Sequence, residues 1–164
     1  MFRSILKPVL LTLILVVSIA IAGVQAASLK KGSIAPAFSL KSLQGKQVSL
    51  ADMKKNGLVM LVFWEPECMY CFMHIQELNA LHTKYHNNKL TIAAINFLGE
   101  YEAEIQDYVT ANGVKYMMLT DRLKNIDVAQ SYNVFGTPTI VLISTEGTIL
   151  YYGHKIPDMD QWLS

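Results

Sequence analysis

Cysteine is scarce in this chain: 2 in 164 residues. So few cannot staple a small disulfide scaffold, and without a second pair they cannot build a four-thiolate zinc or iron–sulfur centre. Histidine is sparse as well, with 4 residues. His74, His82, His86 and His154 show no ligand spacing with the cysteines, so no metal is expected. Charge of one sign is missing too. The formal net charge of +1 gives no reason to expect nucleic acid or any strongly charged partner. Internal repeats and low-complexity tracts are absent, and the length suits one domain.

What is present begins with a leader. Arg3 and Lys7 precede an apolar run from Pro8 to Val24, which inflates the 52% hydrophobic content. Val24-Gln25-Ala26 then offers small residues where a signal peptidase needs them. Two readings stay open for residues 1–26: a cleaved signal peptide, or a retained amino-terminal anchor at the short edge of what spans a bilayer. Both export the remainder. In an oxidising compartment a structural disulfide is the default. Two residues between the cysteines argue against that, because so small a loop hardly constrains the unfolded chain.

Those cysteines sit at a junction. Val59-Met60-Leu61-Val62-Phe63-Trp64 reads as a buried strand that breaks at Pro66, and helical spacing follows from about Met69. A cysteine at the first turn of a helix feels the partial positive charge of unpaired N–H groups, which favours its thiolate. A second cysteine one turn on can attack the mixed disulfide that results. Cys68 and Cys71 therefore suit a reversible dithiol/disulfide switch, with Cys68 as the more exposed nucleophile and Cys71 as the shielded resolving thiol.

The rest of the chain alternates strands and helices. A hairpin is expected at 37–50 with Gly45 at its turn, after a linker at 27–35; the domain proper runs 36–164. Helical spacing at 69–86 puts Cys71, Ile75, Leu78, Leu81 and Tyr85 on one face. A covered parallel strand follows at 89–96 and a helix at 100–111, stopped by Asn112-Gly113. A short strand at 116–119, a helix at 125–132, strands at 139–143 and 148–152 and a short last helix after Pro157 complete the pattern. It predicts an α/β fold, a mixed central sheet covered by helices on both faces.

Four features in order resemble the exported TlpA/ResA/CcmG-type (DsbE-like) thiol-disulfide oxidoreductases of the thioredoxin-like superfamily. They are Gly32-Ser33-Ile34-Ala35-Pro36-Ala37-Phe38-Ser39-Leu40 with Val48-Ser49-Leu50; Phe63-Trp64 with Cys68-Met69-Tyr70-Cys71; Gly136-Thr137-Pro138-Thr139; and Thr145-Glu146-Gly147-Thr148-Ile149 with Gly153. The resemblance spans about Gly32 to Gly153. It implies a thioredoxin-like fold with an amino-terminal β-hairpin and a central αβ insertion at 100–135. It also implies that Pro138 is cis and lies against the cysteines, that Thr137 contacts substrate, and that Trp64 is either a substrate contact or a core aromatic.

Departures from that pattern matter as much. Thioredoxin's buried carboxylate is replaced by Val62, which cannot move a proton. Where ResA-like members place a glutamate, this chain has His74, a candidate proton shuttle. Glu67 stands where the family has an aromatic; a carboxylate there opposes thiolate at Cys68 and makes the pair more reducing. Glu65 reads as a surface charge only. Gln76 replaces a helix proline, and Met69-Tyr70 makes the client surface beside Tyr70 apolar and bulky.

The leading expectation is an exported protein-disulfide reductant in the periplasm or on the outer face of the inner membrane, acting as a monomer and needing no cofactor beyond its own disulfide. Apocytochrome c or copper-site cysteines are the clients by analogy, and a membrane thiol-transfer protein the electron donor. Two alternatives stand. A peroxiredoxin-like peroxidase needs a threonine three residues before its cysteine, where Glu65 stands. A non-enzymatic Cu(I) chaperone would use paired thiols, but related ones space them by three residues.

Overall fold

The computed structural model describes residues 29–85 and 89–163; the leader at 1–26 and His86 lie outside them. Its first elements are a two-stranded antiparallel hairpin, β1 (Ser39–Lys41) and β2 (Gln47–Ser49). A short helix that was not expected, α1 (Leu50–Lys54), follows at once. Five residues are too few to show a period. Its signal is the Ser49 cap, whose hydroxyl oxygen accepts from the Asp52 N–H at 3.1 Å. Gly57 then brings the backbone against Lys89: a Cβ there would lie 2.5 Å from the Lys89 carbonyl oxygen.

The central strand β3 (Leu58–Trp64) pairs in parallel with β4 (Leu90–Asn96) and antiparallel with β6 (Thr139–Ile143). A short edge strand, β5 (Met117–Leu119), lies beside β4, and β7 (Ile149–Gly153) closes the other side in the order β5-β4-β3-β6-β7. The helices are α2 (Met69–Tyr85), α3 (Glu102–Asn112), α4 (Arg122–Ser131) and α5 (Asp160–Leu163). The 100–135 stretch thus contributes α3, β5 and α4.

Side chains of β3 alternate between two cores, as a strand's period of two requires. Val59, Leu61 and Phe63 face the hairpin, α1 and α4; Met60, Val62 and Trp64 face α2, α3 and the carboxy-terminal residues. Both faces being covered explains why β3 is apolar throughout. Each large side chain so buried contributes on the order of 1.5–3 kcal/mol.

Three expectations need correction. The linker is no linker from Gly32 onward. Gly32 N–H donates to the Ile149 carbonyl at 2.8 Å and Ala35 N–H to Gly147 at 2.9 Å, so this segment is stitched to the terminal hairpin. The helix expected at 125–132 starts at Arg122: the Asn125 N–H donates to the Asp121 carbonyl at 3.1 Å, closing a turn earlier, while its side-chain amide points inward and donates to the Leu119 carbonyl at 2.8 Å. On α2, Leu81 is only half-buried, while the polar Asn79 is buried on that side.

Candidate functional site

Register determines where the site forms. In the β3–β6 pairing Phe63 stands opposite Thr139. The antiparallel sense then brings the residues that follow Phe63 level with those that precede Thr139. Two segments 70 residues apart in sequence, the turn holding the cysteines and the loop holding Pro138, must therefore meet.

The first segment is a tight turn. Cys68 N–H donates to the Glu65 carbonyl at 3.2 Å, and Phe72 N–H to the Cys68 carbonyl at 3.1 Å, which opens α2. Cys68 and Cys71 are joined as a disulfide with their Cα atoms 5.2 Å apart. The Cys71 N–H points at Cys68 Sγ from 3.1 Å. On reduction that donor, with the helix N-terminus behind it, stabilises a thiolate at Cys68. The expected contrast in exposure is small: Cys68 is 8% and Cys71 6% exposed. The two differ in place, Cys68 standing before the helix and Cys71 inside its first turn. Around them Met69, Tyr70, Phe72 and Met73 are each 52–68% exposed, an apolar collar about the disulfide.

The second segment contains a cis Thr137–Pro138 peptide bond. The Pro138 carbonyl, an acceptor only, takes a hydrogen bond from His154 Nδ1 at 2.8 Å, so that nitrogen carries the ring proton. The Thr137 hydroxyl donates to the Glu65 carboxylate at 2.7 Å. Between the segments runs a groove of about 570 Å³, lined by Tyr70, His74, Thr137, Pro138, His154 and Ile156 among others. The His74 Nδ1 lies 4.0 Å from Glu77 Oε2 and the residue is half-buried.

Cys68, Cys71, Tyr70, His74, Thr137 and Pro138 are thus gathered at one end of the sheet. Glu67 stands exposed on the turn. Trp64 is 3% exposed and stacks on Tyr108 with ring centroids 4.6 Å apart, so its place is the core and not the surface that a client would touch. Val62 occupies the core beneath the cysteines. Glu65, expected to be a bare surface charge, is instead half-buried and bonded to Thr137. His154 had no local signal. Its partner is 16 residues away across the β6–β7 hairpin, and only strand pairing brings the two together. Among the described residues no group of three or more His, Cys, Asp or Glu is placed to hold a metal ion.

The chain matches the AhpC/TSA family over residues 32–152. It is 29% identical to the thiol-disulfide oxidoreductase ResA of Bacillus subtilis (strain 168) over 123 residues, 75% of this chain and 66% of ResA. It is 31% identical to the thioredoxin-like protein YneN of the same organism, over 74% of this chain and 69% of YneN. The chain thus spans slightly under two thirds of the length of the ResA proteins it matches. Among solved structures it is similar to the thioredoxin domain of a thiol-disulfide oxidoreductase from Bacteroides vulgatus, with TM-score 0.69 and 27% identity, covering 82% of this chain and 94% of that one. It is likewise similar to a Chlorobium tepidum protein described as a thiol:disulfide interchange protein DsbE, with TM-score 0.70 and 26% identity, covering 82% and 92%. Fold, cysteine turn and sequence similarity agree: the chain belongs to the AhpC/TSA family and is a thioredoxin-like member of the TlpA/ResA/CcmG kind.

Proposed function

We propose that this protein is a thiol-disulfide oxidoreductase that works outside the cytoplasm and reduces disulfides in other proteins. The observation that carries the reading is the Cys68–Cys71 disulfide at the mouth of α2, beside a groove walled by Pro138. In the reduced protein the Cys68 thiolate attacks a client disulfide. A Cys68–client bond forms, and one client sulfur leaves as thiolate. Cys71, deprotonated, then attacks Cys68 Sγ, which re-forms the intramolecular disulfide and frees the second client thiolate. Two electrons pass from the protein to the client, and the two protons of the dithiol end on the client's thiols.

His74 lines the groove one turn beyond Cys71, and an imidazole there suits the proton of the resolving thiol. Glu67 adds a carboxylate that disfavours thiolate at Cys68 and tilts the couple toward reduction of clients. The apolar collar of Met69, Tyr70, Phe72 and Met73 suits an uncharged client surface. By analogy with ResA- and DsbE-named relatives, the clients are apocytochrome c cysteines awaiting haem or the cysteines of copper sites. The donor that restores the dithiol is then a membrane thiol-transfer protein. Export rests on residues 1–26; among the described residues no helix is long and apolar enough to cross a membrane.

Replacing Cys71 by Ser should accumulate client proteins disulfide-linked to Cys68 when the full chain is expressed in a bacterial envelope. No adduct at all would sink the exchange mechanism. A reduction potential well above that of glutathione would reverse the proposed direction of electron flow.

A further inference from the structure

Residues 136–138, just before β6, are held at three points. The Thr139 hydroxyl donates to the Gly136 carbonyl at 2.7 Å, within the loop itself. His154 bonds the Pro138 carbonyl from beyond the end of β7. Of the three, the Glu65–Thr137 bond is the one that reaches the turn carrying the cysteines. Packing does little for the outer part of this loop. Phe135 is 93% exposed, and a Cβ built on Gly136 would meet nothing within 4 Å.

Glu65 also touches the cysteine side. Its carbonyl accepts from the Cys68 N–H at 3.2 Å while its carboxylate accepts from the Thr137 hydroxyl at 2.7 Å. One residue therefore bonds the nucleophile's backbone and the opposite wall of the groove. Thr137 and Pro138 form that wall; Tyr70 and His74 on α2 form the other. The separation of the two walls depends on how the loop sits against the turn. An ionised acceptor strengthens the hydroxyl bond relative to a neutral one, and half-burial shields it from water.

We infer that Glu65 is a positioning residue for disulfide exchange: its carboxylate, by gripping Thr137, fixes the groove beside Cys68 at the width a client chain needs. The inference rests on the oxidoreductase reading above and adds to it a residue that this reading does not use. Misplacing a docked reactant by about an ångström can cost on the order of 10²-fold in rate, so a lost clamp should be visible. A small disulfide with no chain to dock should feel it far less.

The test compares two probes with the full-length reduced protein: an extended peptide closed by a Cys-x-x-Cys disulfide, and hydroxyethyl disulfide. Glu65→Ala should lower kcat/KM for the peptide about tenfold relative to hydroxyethyl disulfide, chiefly through KM. Glu65→Gln, whose amide oxygen still accepts from Thr137, should lose less. Thr137→Val should shift the peptide-to-small-disulfide ratio as Glu65→Ala does, Thr137→Ser should restore it, and the double variant Glu65→Ala/Thr137→Val should be no worse than either single one. Equal losses on both probes would overturn the inference, because a merely structural role acts on the two alike. So would fully multiplicative losses in the double variant. A wild type that exchanges with neither probe would overturn the oxidoreductase reading and this inference together. A wild type active on both, with a ratio indifferent to Glu65→Ala, would overturn this inference alone.

Discussion

On the proposed reading two neighbouring groups bear on Cys68 Sγ with opposite sign. The Cys71 N–H, 3.1 Å away in the disulfide form, favours the thiolate that reduction creates. The Glu67 carboxylate, adjacent in sequence and exposed, is proposed to oppose it, with water weakening its reach. Screening by water should keep that shift small. Replacing Glu67 by Trp should therefore lower the Cys68 pKa by a small amount and raise the reduction potential, as a thiolate absorbance titration would read; no change would remove Glu67 from the mechanism. His74 belongs at the same scale. If it moves the proton of Cys71, His74→Ala should slow the resolving step by on the order of 100-fold at neutral pH and change the shape of its pH profile. His74→Glu should return part of the rate; an unchanged profile in His74→Ala would leave the side chain as groove lining only.

At the scale of elements, α2 is held by more than its apolar stripe. Asn79, buried on its inner side, donates to the Gly113 carbonyl at 2.8 Å and accepts from the Lys115 N–H at 2.8 Å. The helix that carries Cys71 is thereby fastened to the turn between α3 and β5. Asn79→Ala would strand both backbone groups. Leaving each without a partner costs about 1–3 kcal/mol, so the variant should lose roughly 2–6 kcal/mol in denaturant unfolding. A loss below 0.5 kcal/mol would mean, by the same reasoning, that water replaces both bonds. The apolar members of α2 were legible from three- and four-residue spacing; Asn79 was not, since a polar residue on a helix reads as solvated until its distant partners are known. α1 was missed because five residues show no period. The inward turn of Asn125 on α4 depends on a carbonyl in another element, that of Leu119 in β5.

For the whole molecule, buried phenols set an alkaline limit. Burial pushes Tyr132 well above the ordinary tyrosine value; its hydroxyl donates to the Pro36 carbonyl at 2.8 Å, and its ring packs against Phe63 with centroids 5.5 Å apart. Tyr116 is raised as well, by burial first and by Tyr108 second. Above pH of about 10 the unfolded chain releases these protons while the folded one keeps them, so stability present below that pH is lost as pH rises. Each phenol should contribute a slope of about 1.4 kcal/mol per pH unit there. Tyr132→Phe should flatten the alkaline limb by one such slope and cost about 1 kcal/mol at neutral pH for the missing hydrogen bond. An alkaline limb identical to wild type would show that Tyr132 ionises freely in the folded protein.

The sequence alone determined the local features: a buried strand running into a helix, two cysteines one turn apart at that junction, and the order of strands and helices. Each of these depends on residues close together in the chain, through periodicity, breakers and helix-end electrostatics. The cis peptide at Pro138 entered only through family resemblance, as its chain neighbours do not dictate it. Tertiary structure alone decided that Glu65 grips Thr137, that His154 holds the Pro138 carbonyl, that Trp64 lies beneath the surface and that residues 32–35 join the terminal hairpin. The physical reason is register. Which residues meet across β3, β6 and β7 depends on how the strands pair and which faces are buried, and no local window of sequence contains that information.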